Sequence, residues 1–460
     1  MIVGTSHFDG TIAVLGLARS GLATVRALMA GGNQVIAWDD SRERVADAAR
    51  IGIPVSDSAD FNWHGIAALV PSPGVPLDHQ TMVSARAAGV EIVGDVELLW
   101  RAMPERKFIG ITGTNGKSTT TALIGHILER ARQTVQVGGN IGTPALSLEA
   151  LWAEGSYVLE MSSFQLDLTC NMSFNIAVML NIAPDHLDRH GDMAAYITAK
   201  KNIFRAGRLK TAVLGIDSPA MLRIYEELRN RDGLEVIPIA TGRRLLNGVA
   251  VNGGLLEGHG QAVCDLKAAT ALPGSHNWQN AAAAYATTRA LGIDPEVIAR
   301  ALLSFPGLAH RMERISAIDG VQFINDSKAT NGDAAARALA CFSPIYWIAG
   351  GRNKSNGLKA LQPNFRRIAH AFLIGEAEQD FADELEGRVN YSRCGTLDNA
   401  LEAAAAQART DGRAGAVVLF SPACASFDQY SDFEARGEAF RKLVMNLEQR
   451  QATQARRYCA

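Results

Sequence analysis

Across 460 residues there is no Cys-x-x-Cys pair, no long apolar run and almost no net charge. The six cysteines (Cys170, Cys264, Cys341, Cys394, Cys424 and Cys459) are scattered, which argues against a disulfide framework or a cysteine-ligated zinc. They fit reduced thiols in the cytoplasm. A formal charge of −2 supplies no basic field for nucleic acid or an anionic membrane. No stretch approaches the roughly 18 apolar residues that a membrane helix requires. No Lys or Arg precedes Arg19, and TIAVLG is short and soon followed by glycines, so no signal peptide is expected. What is present, 47% apolar and 20% charged residues, is the composition of a globular cytoplasmic protein of two to three domains.

Apolar runs and helical periodicity alternate along the chain. TIAVLG, QVIAWDD and AALVPSPGVP predict strands in the first ninety-odd residues, with SGLATVRALMAGG as an intervening helix. KFIGIT opens a second block near Val96, followed by YVLEMSS, IAVMLNI and TAVLGI; GVAVNGGLLEGHGQAV predicts a hairpin excursion. VQFINDS, IYWIAGG, AHAFLIG and AVVLFSPA are the strands of a third block, and the polar residues beyond about Glu448 are expected to fray. This alternation implies parallel sheets covered by helices. The expected domains are 1–95, 96–307 and 308–460.

GITGTNGKSTTTALIGHIL (Gly110 to Leu128) departs from the G-x-x-x-x-G-K-[ST] nucleotide loop, because Ile111 stands six residues before Lys117. Its strand, glycine turn and helix start nevertheless gather backbone N–H groups and a positive dipole end, which suits phosphate. Lys117 can neutralise phosphate charge, and Ser118 or Thr119 can offer a hydroxyl to Mg²⁺. The bland alternative is a turn before a surface lysine. GLARSG (Gly16 to Gly21), with Asp39 23 residues after Gly16, resembles a dinucleotide fingerprint. Alanine at its middle position hinders the approach of a pyrophosphate, and a ligand-free tight turn explains it equally well.

Glu160 ends an apolar strand, and Asp185, His186 and Asp188 follow another, so a parallel sheet would gather them on one edge with Lys117. Oxygen-rich ligation there suits Mg²⁺. Lys200 and Lys201 are adjacent on a helix, so at most one can face a site. Asn277 and Asn280 share a helical face and could bind a base or ribose, although Asn277 could equally be a plain N-cap. Asp326 and Lys328, Lys354, and Ser421 with Ser426 follow strand ends in the third block. Cys424 has no histidine nearby in sequence and is read as a small buried residue.

Taken in order, GLARSGL, VPSPGVP, GITGTNGKSTT, GGNIGTP, LEMSSFQL, NIAPDHLDRH, YITAKK, SHNWQNAAAA, GLAHRME, INDSKATN and SPACASFDQY resemble the Mur ligase family. These are the ATP-dependent amide ligases of bacterial cell-wall precursor synthesis, and the resemblance runs from about Thr11 to Leu447. It implies an α/β protein of three domains: a Rossmann-like N-terminal domain for a UDP moiety, a central P-loop ATPase-like parallel-sheet domain, and a Rossmann-like C-terminal domain binding the amino acid. It also implies addition of D-glutamate to UDP-N-acetylmuramoyl-L-alanine through an acyl phosphate, by a monomer without nucleic-acid or membrane partners.

By the same resemblance, Gly113, Thr114, Asn115, Gly116, Lys117, Ser118 and Thr119 would cradle ATP, with Asn277, Asn280, Arg311 and Asp326 around it. Ser118, Glu160, His186 and a carbamylated Lys200 would serve two Mg²⁺ ions, and Lys117, His186 and Lys200 would be catalytic. Asp39, Ser72, Gly74 and Asn140 would contact the UDP-sugar. Thr330, Lys354, Ser426 and Phe433 would contact the amino acid. Related proteins often place Thr-Arg after the aspartate where this chain has Asp40-Ser41-Arg42. The rivals are a nicotinamide-dependent oxidoreductase resting on GLARSG and Asp39, a non-catalytic nucleotide-binding regulator, and a near relative such as another Mur ligase or a folylpolyglutamate synthase.

Overall fold

A computed structural model describes residues 8–152, 154–353 and 357–458, with the backbone alone at 452–458. Contacts divide the chain into two compact units, residues 1–269 with 275–305, and residues 270–274 with 306–460. Among the described residues the strands form three sheets.

The first unit holds two of them. β1 (Thr11–Leu15), β2 (Val35–Trp38), β3 (Ile66–Pro71) and β4 (Glu91–Ile92) pair in parallel in the order β2-β1-β3-β4. The larger sheet comprises β5 (Lys107–Thr112), β6 (Val135–Gly139), β7 (Ser156–Glu160), β8 (Ile176–Met179), β9 (Thr211–Gly215) and β10 (Glu235–Thr241), continued by β11 (Val249–Asn252), β12 (Leu255–Gly258) and β13 (Gln261–Asp265). Its order is β13-β12-β11-β10-β9-β8-β5-β7-β6. The expected hairpin is there as antiparallel β11 and β12, but β11 also pairs in parallel with β10.

β5 sits between β7 and β8, so the loop after it opens where the chain departs to both sides of the sheet. Ligands bind at such switch points because neighbouring loops diverge there and leave a crevice. β5 can occupy this place because FIGIT is wholly buried and only Lys107 is exposed. The two sheets of this unit are tied together by Glu97. Its buried carboxylate accepts the backbone N–H groups of Cys170 (2.9 Å), Asn171 (3.2 Å) and Met172 (2.9 Å) and pairs with Arg101. An acidic side chain tolerates full burial only when its lone pairs are met in this way.

The second unit carries β14 (Glu313–Ile318), β15 (Val321–Asn325), β16 (Ile345–Gly350), β17 (Ile368–Ile374), β18 (Tyr391–Gly395) and β19 (Val417–Phe420), ordered β14-β15-β19-β16-β17-β18. β14 is antiparallel and the rest are parallel. Alternation is clean in β16: Trp347 and Ala349 enter one core, Tyr346 and Ile348 the other. Burying each large side chain there contributes about 1.5–3 kcal/mol. The last helix runs Phe433–Tyr458 and does not fray near Glu448. QRQATQARRY contains no Gly or Pro and is rich in helix formers. No described helix is long and apolar enough to cross a membrane.

Candidate active site

The glycine loop spans Gly113 to Gly116, between β5 and helix Lys117–Arg130. Gly116 is left-handed (φ +85°), and a Cβ there would lie 2.1 Å from Asn280 Oδ1, so only glycine fits. No side chain caps the helix, which leaves its first N–H groups to the loop and whatever it cradles. Lys117 Nζ curls back to the carbonyls of Gly113 (2.9 Å) and Thr114 (3.0 Å). Ser118 and Thr119 are buried at the helix start. Asn181 braces the loop by accepting from Asn115 N (2.9 Å) and donating to Asn115 O (3.1 Å). Asn277 and Asn280 lie inside helix Ser275–Ala290, so Asn277 is not its N-cap. Asn280 accepts from Thr120 Oγ1 (3.3 Å) and donates to Asn277 Oδ1 (3.1 Å), joining that helix to the phosphate-loop helix.

Glu160 ends β7 beside the loop and is 3% exposed. Asn140 Nδ2 donates to its Oε1 (2.8 Å), whereas Oε2 is buried with no hydrogen-bond partner. An orphaned carboxylate oxygen facing no donor is what a divalent cation would satisfy. His186 is left-handed (φ 51°) and half-exposed, its ring 4.9 Å from that of Phe164. Among the described residues no three His, Cys, Asp or Glu side chains converge on a common metal position. A cation here would need the Ser118 hydroxyl, a modified lysine or ligand oxygens to complete its shell.

Lys200 and Lys201 diverge as helical neighbours must. Lys201 pairs with Glu227 at the surface, while Lys200 is 2% exposed. Lys200 Nζ donates to Gly113 O (3.0 Å) and Thr112 Oγ1 (3.3 Å) and lies 4.8 Å from the Tyr196 ring centre. Burial pushes its ammonium down to about 7, and the nearby Lys117 charge adds to the effect.

A cavity of about 760 Å³ opens between the loops of the first sheet and the β6 loop, its lining including Arg19, Asp39, Ser72, Gly74, Asn140 and Phe164. Asp39 accepts from Leu17 N (2.6 Å) and Ser41 N (2.8 Å). A Cβ at Gly21 would sit 1.7 Å from Gly16 O, so the last glycine of GLARSG serves helix–strand packing. In the second unit, Asp326 is fully buried, accepting from Ser421 Oγ (2.8 Å) and Met312 N (3.1 Å). Burial pushes its carboxyl up to about 7. The Lys328 ammonium lies 5.3 Å from the centre of the Phe433 ring, Thr330 follows in the same loop, and Ser426 is buried. Arg311 sits in the partly buried turn before β14. Lys354 lies outside the described residues. Burial holds the Cys424 thiol up at about 12, so it is no nucleophile.

Residues 111–288 match the Mur ligase middle domain, and residues 310–424 match the Mur ligase glutamate ligase domain. A UDP-N-acetylmuramoylalanine–D-glutamate ligase of Rhodospirillum rubrum is 51% identical over 95% of this chain and 94% of its own. That of Phenylobacterium zucineum is 49% identical over 99% and 100%. The chain belongs to the Mur ligase family. Among solved structures, the UDP-N-acetylmuramate–alanine ligase of Thermotoga maritima is similar at a TM-score of 0.60 and 20% identity, covering 96% of this chain and 99% of that one. A pseudomurein peptide ligase of Methanothermus fervidus gives 0.55 at 16% identity, covering 95% and 100%. These likenesses show the three-domain α/β fold of Mur ligases.

Three positions in this Mur ligase carry more than their sequence suggested. Tyr196 links the phosphate loop to Lys200, its hydroxyl 3.0 Å from Thr114 Oγ1 and its ring beneath the Lys200 amine. Asn181 opens the motif NIAPDHLDRH, but nothing in its spacing marks it as the brace of the glycine loop. Arg19 lies within GLARSG, and its guanidinium donates to the Gly142 carbonyl, 123 residues away.

Proposed function

We propose that this Mur ligase joins D-glutamate to UDP-N-acetylmuramoyl-L-alanine at the expense of ATP, releasing ADP and phosphate. The observation that carries the reading is the Lys117 loop set beside the orphaned Glu160 oxygen and the buried Lys200 amine. Relatives named for that activity, about half identical over nearly the whole chain, support the choice of substrates. The alanine carboxylate attacks the γ-phosphorus of ATP, the bond to ADP breaks, and an acyl phosphate forms. The glutamate amine then attacks the acyl carbon, and phosphate leaves with a former carboxylate oxygen.

Lys117 and the N–H groups of the loop supply fixed positive charge where the transferring group gains negative charge. Ser118, Glu160, His186 and Lys200 as a carbamate would hold Mg²⁺, which when bound neutralises phosphate charge. Carbamate formation is ordinary amine chemistry: the neutral Lys200 nitrogen bonds the carbon of CO2 and a proton is lost to solvent. Burial that disfavours the ammonium favours this step. His186 would serve as a metal ligand or accept the amine proton. Asn277, Asn280, Arg311 and Asp326 are assigned to ATP. Thr330, Lys354, Ser426 and Phe433 are assigned to glutamate. Domains at 1–95, 96–307 and 308–460 would divide the three substrates among them, in a cytoplasmic monomer.

The test is ADP release with UDP-N-acetylmuramoyl-L-alanine while D-glutamate, L-glutamate and other amino acids are offered in turn. ADP release with D-glutamate is expected. Turnover with another amino acid and none with glutamate would reassign the substrate. Saturable NADH binding without ATP binding would instead favour the oxidoreductase reading.

A further inference from the structure

Aromatic rings run in a row from one candidate metal ligand to another. The ring centre of His186 lies 4.9 Å from that of Phe164, Phe164 lies 5.6 Å from His190, and His190 lies 5.3 Å from Tyr196. The Lys200 amine then stands 4.8 Å from the centre of the Tyr196 ring. We propose that His190 is a positioning residue for the ligation reaction, its ring holding His186, Glu160 and Lys200 in one arrangement. The proposal rests on reading those three side chains as the metal-binding set.

Three separate pieces of chain meet at this imidazole. Helix Ser163–Asp167 follows directly on the strand end that carries Glu160. His190 closes the short helix Leu187–His190 that starts from His186, and its own N–H donates to the His186 carbonyl (3.1 Å). Tyr196 stands one turn before Lys200 on helix Met193–Lys201, with its hydroxyl 3.0 Å from Thr114 Oγ1 of the glycine loop. His190 touches the first and the third piece while belonging to the second. Its Nε2 lies 3.0 Å from Ser163 Oγ and its Nδ1 3.8 Å from Asp167 Oδ2. Ser163 and Asp167 are four residues apart on one helical face, so the ring lies along that helix rather than against its tip.

A ring that merely filled space would need no polar neighbours at its nitrogens. The His190 side chain is only 5% exposed, and Ser163 is 2% exposed, so both belong to the interior of the site. Buried polar atoms that find each other fix an orientation as well as a contact. What this grip holds needs holding. His186 has a left-handed backbone (φ 51°), a conformation that persists in a residue other than glycine when its surroundings over-determine it. Its ring leans on Phe164, and Phe164 in turn on His190. His190 acts through these neighbours. Displacing ligands by about 1 Å costs up to about 10²-fold in rate, which is the scale of effect that a lost positioning residue produces.

The test compares full-length wild type with His190→Leu, which fills the space without a ring, and His190→Phe, which restores the ring alone. In His190→Leu, kcat should fall about 10–100-fold and half-saturating Mg²⁺ should rise, while the KM for ATP changes less. His190→Phe should recover part of the loss. Isotope-labelled histidine supplies a readout apart from turnover: the His186 ring resonance, assigned through His186→Ala, should move in His190→Leu with no Mg²⁺ present. A folded His190→Leu chain with an unchanged His186 resonance, or with kcat within about twofold of wild type, would overturn the inference. Should His190→Leu not fold, Ser163→Ala removes the Nε2 partner alone, and an unchanged Mg²⁺ requirement in that variant overturns it equally. A wild-type chain whose ADP release is independent of Mg²⁺ would bring down the metal-site reading, and the inference with it.

Discussion

At single residues, chemistry is set by where charge is placed and what burial does to it. Lys117 is held by two loop carbonyls within the phosphate cradle, so Lys117→Ala should lower turnover by about 10²–10³-fold or more, with the fold retained. Steady-state ADP release alongside circular dichroism checks both halves, and unchanged turnover would remove the ATP-site assignment. Lys200 is the second test. Labelled bicarbonate should give a carbamate NMR signal in wild type and in Lys201→Ala, but not in Lys200→Ala, whose lost activity bicarbonate does not restore. Because burial lowers the ammonium to about 7, the neutral fraction of the amine grows with pH, and the signal should return faster at about pH 8 than at about pH 6 after CO2 is stripped. Asp326 yields a stability prediction. Its carboxyl ionises near 3.8 when unfolded and at about 7 when folded. Between those values the folded chain keeps a proton that the unfolded chain has lost, so this group lowers stability as pH rises through that window. Asp326→Asn removes that fall, and urea midpoints measured across the window should show a flatter profile.

At the scale of elements, the loop between β5 and its helix is a backbone device before it is a chemical one. Its left-handed Gly116 abuts Asn280 from helix Ser275–Ala290, so two helices meet where a phosphate would sit. Gly116→Ala forces a Cβ onto that amide and an alanine into a strained conformation, which should cost about 1–3 kcal/mol. Thermal unfolding should show a lower Tm and little added stabilisation from ATP with Mg²⁺, which raises the Tm of wild type. A variant as stable as wild type and equally protected would contradict the close approach of Gly116 and Asn280.

At the scale of the whole molecule, the α/β architecture was legible because its central strands are dense apolar runs. FIGIT, IAVM and VVLF are buried throughout, and composition alone marks them. β6, β10 and β18 escaped for physical reasons. VQVGG is only half-buried, EVIPIAT is interrupted by Pro238, and YSRCG is an edge strand with polar faces. Their strand character comes from pairing with β7, β9 and β17, which local pattern does not record. The site followed the same division. The glycine loop and the divergence of Lys200 from Lys201 follow from local geometry. Which lysine is buried, that Asn280 serves the phosphate loop, and that Arg19 reaches Gly142 are tertiary facts. Gly21 shows the converse, a fingerprint glycine whose role is packing.

Activation of the carboxylate as an acyl phosphate, the step proposed here, sends one of its oxygens out with the phosphate when the amine displaces it. Both oxygens of the alanine carboxylate of UDP-N-acetylmuramoyl-L-alanine are isotopically labelled, and phosphate released during turnover with ATP and D-glutamate is analysed by mass spectrometry. One labelled oxygen in each phosphate per amide formed is the predicted result. Phosphate carrying no label from the carboxylate would contradict the account.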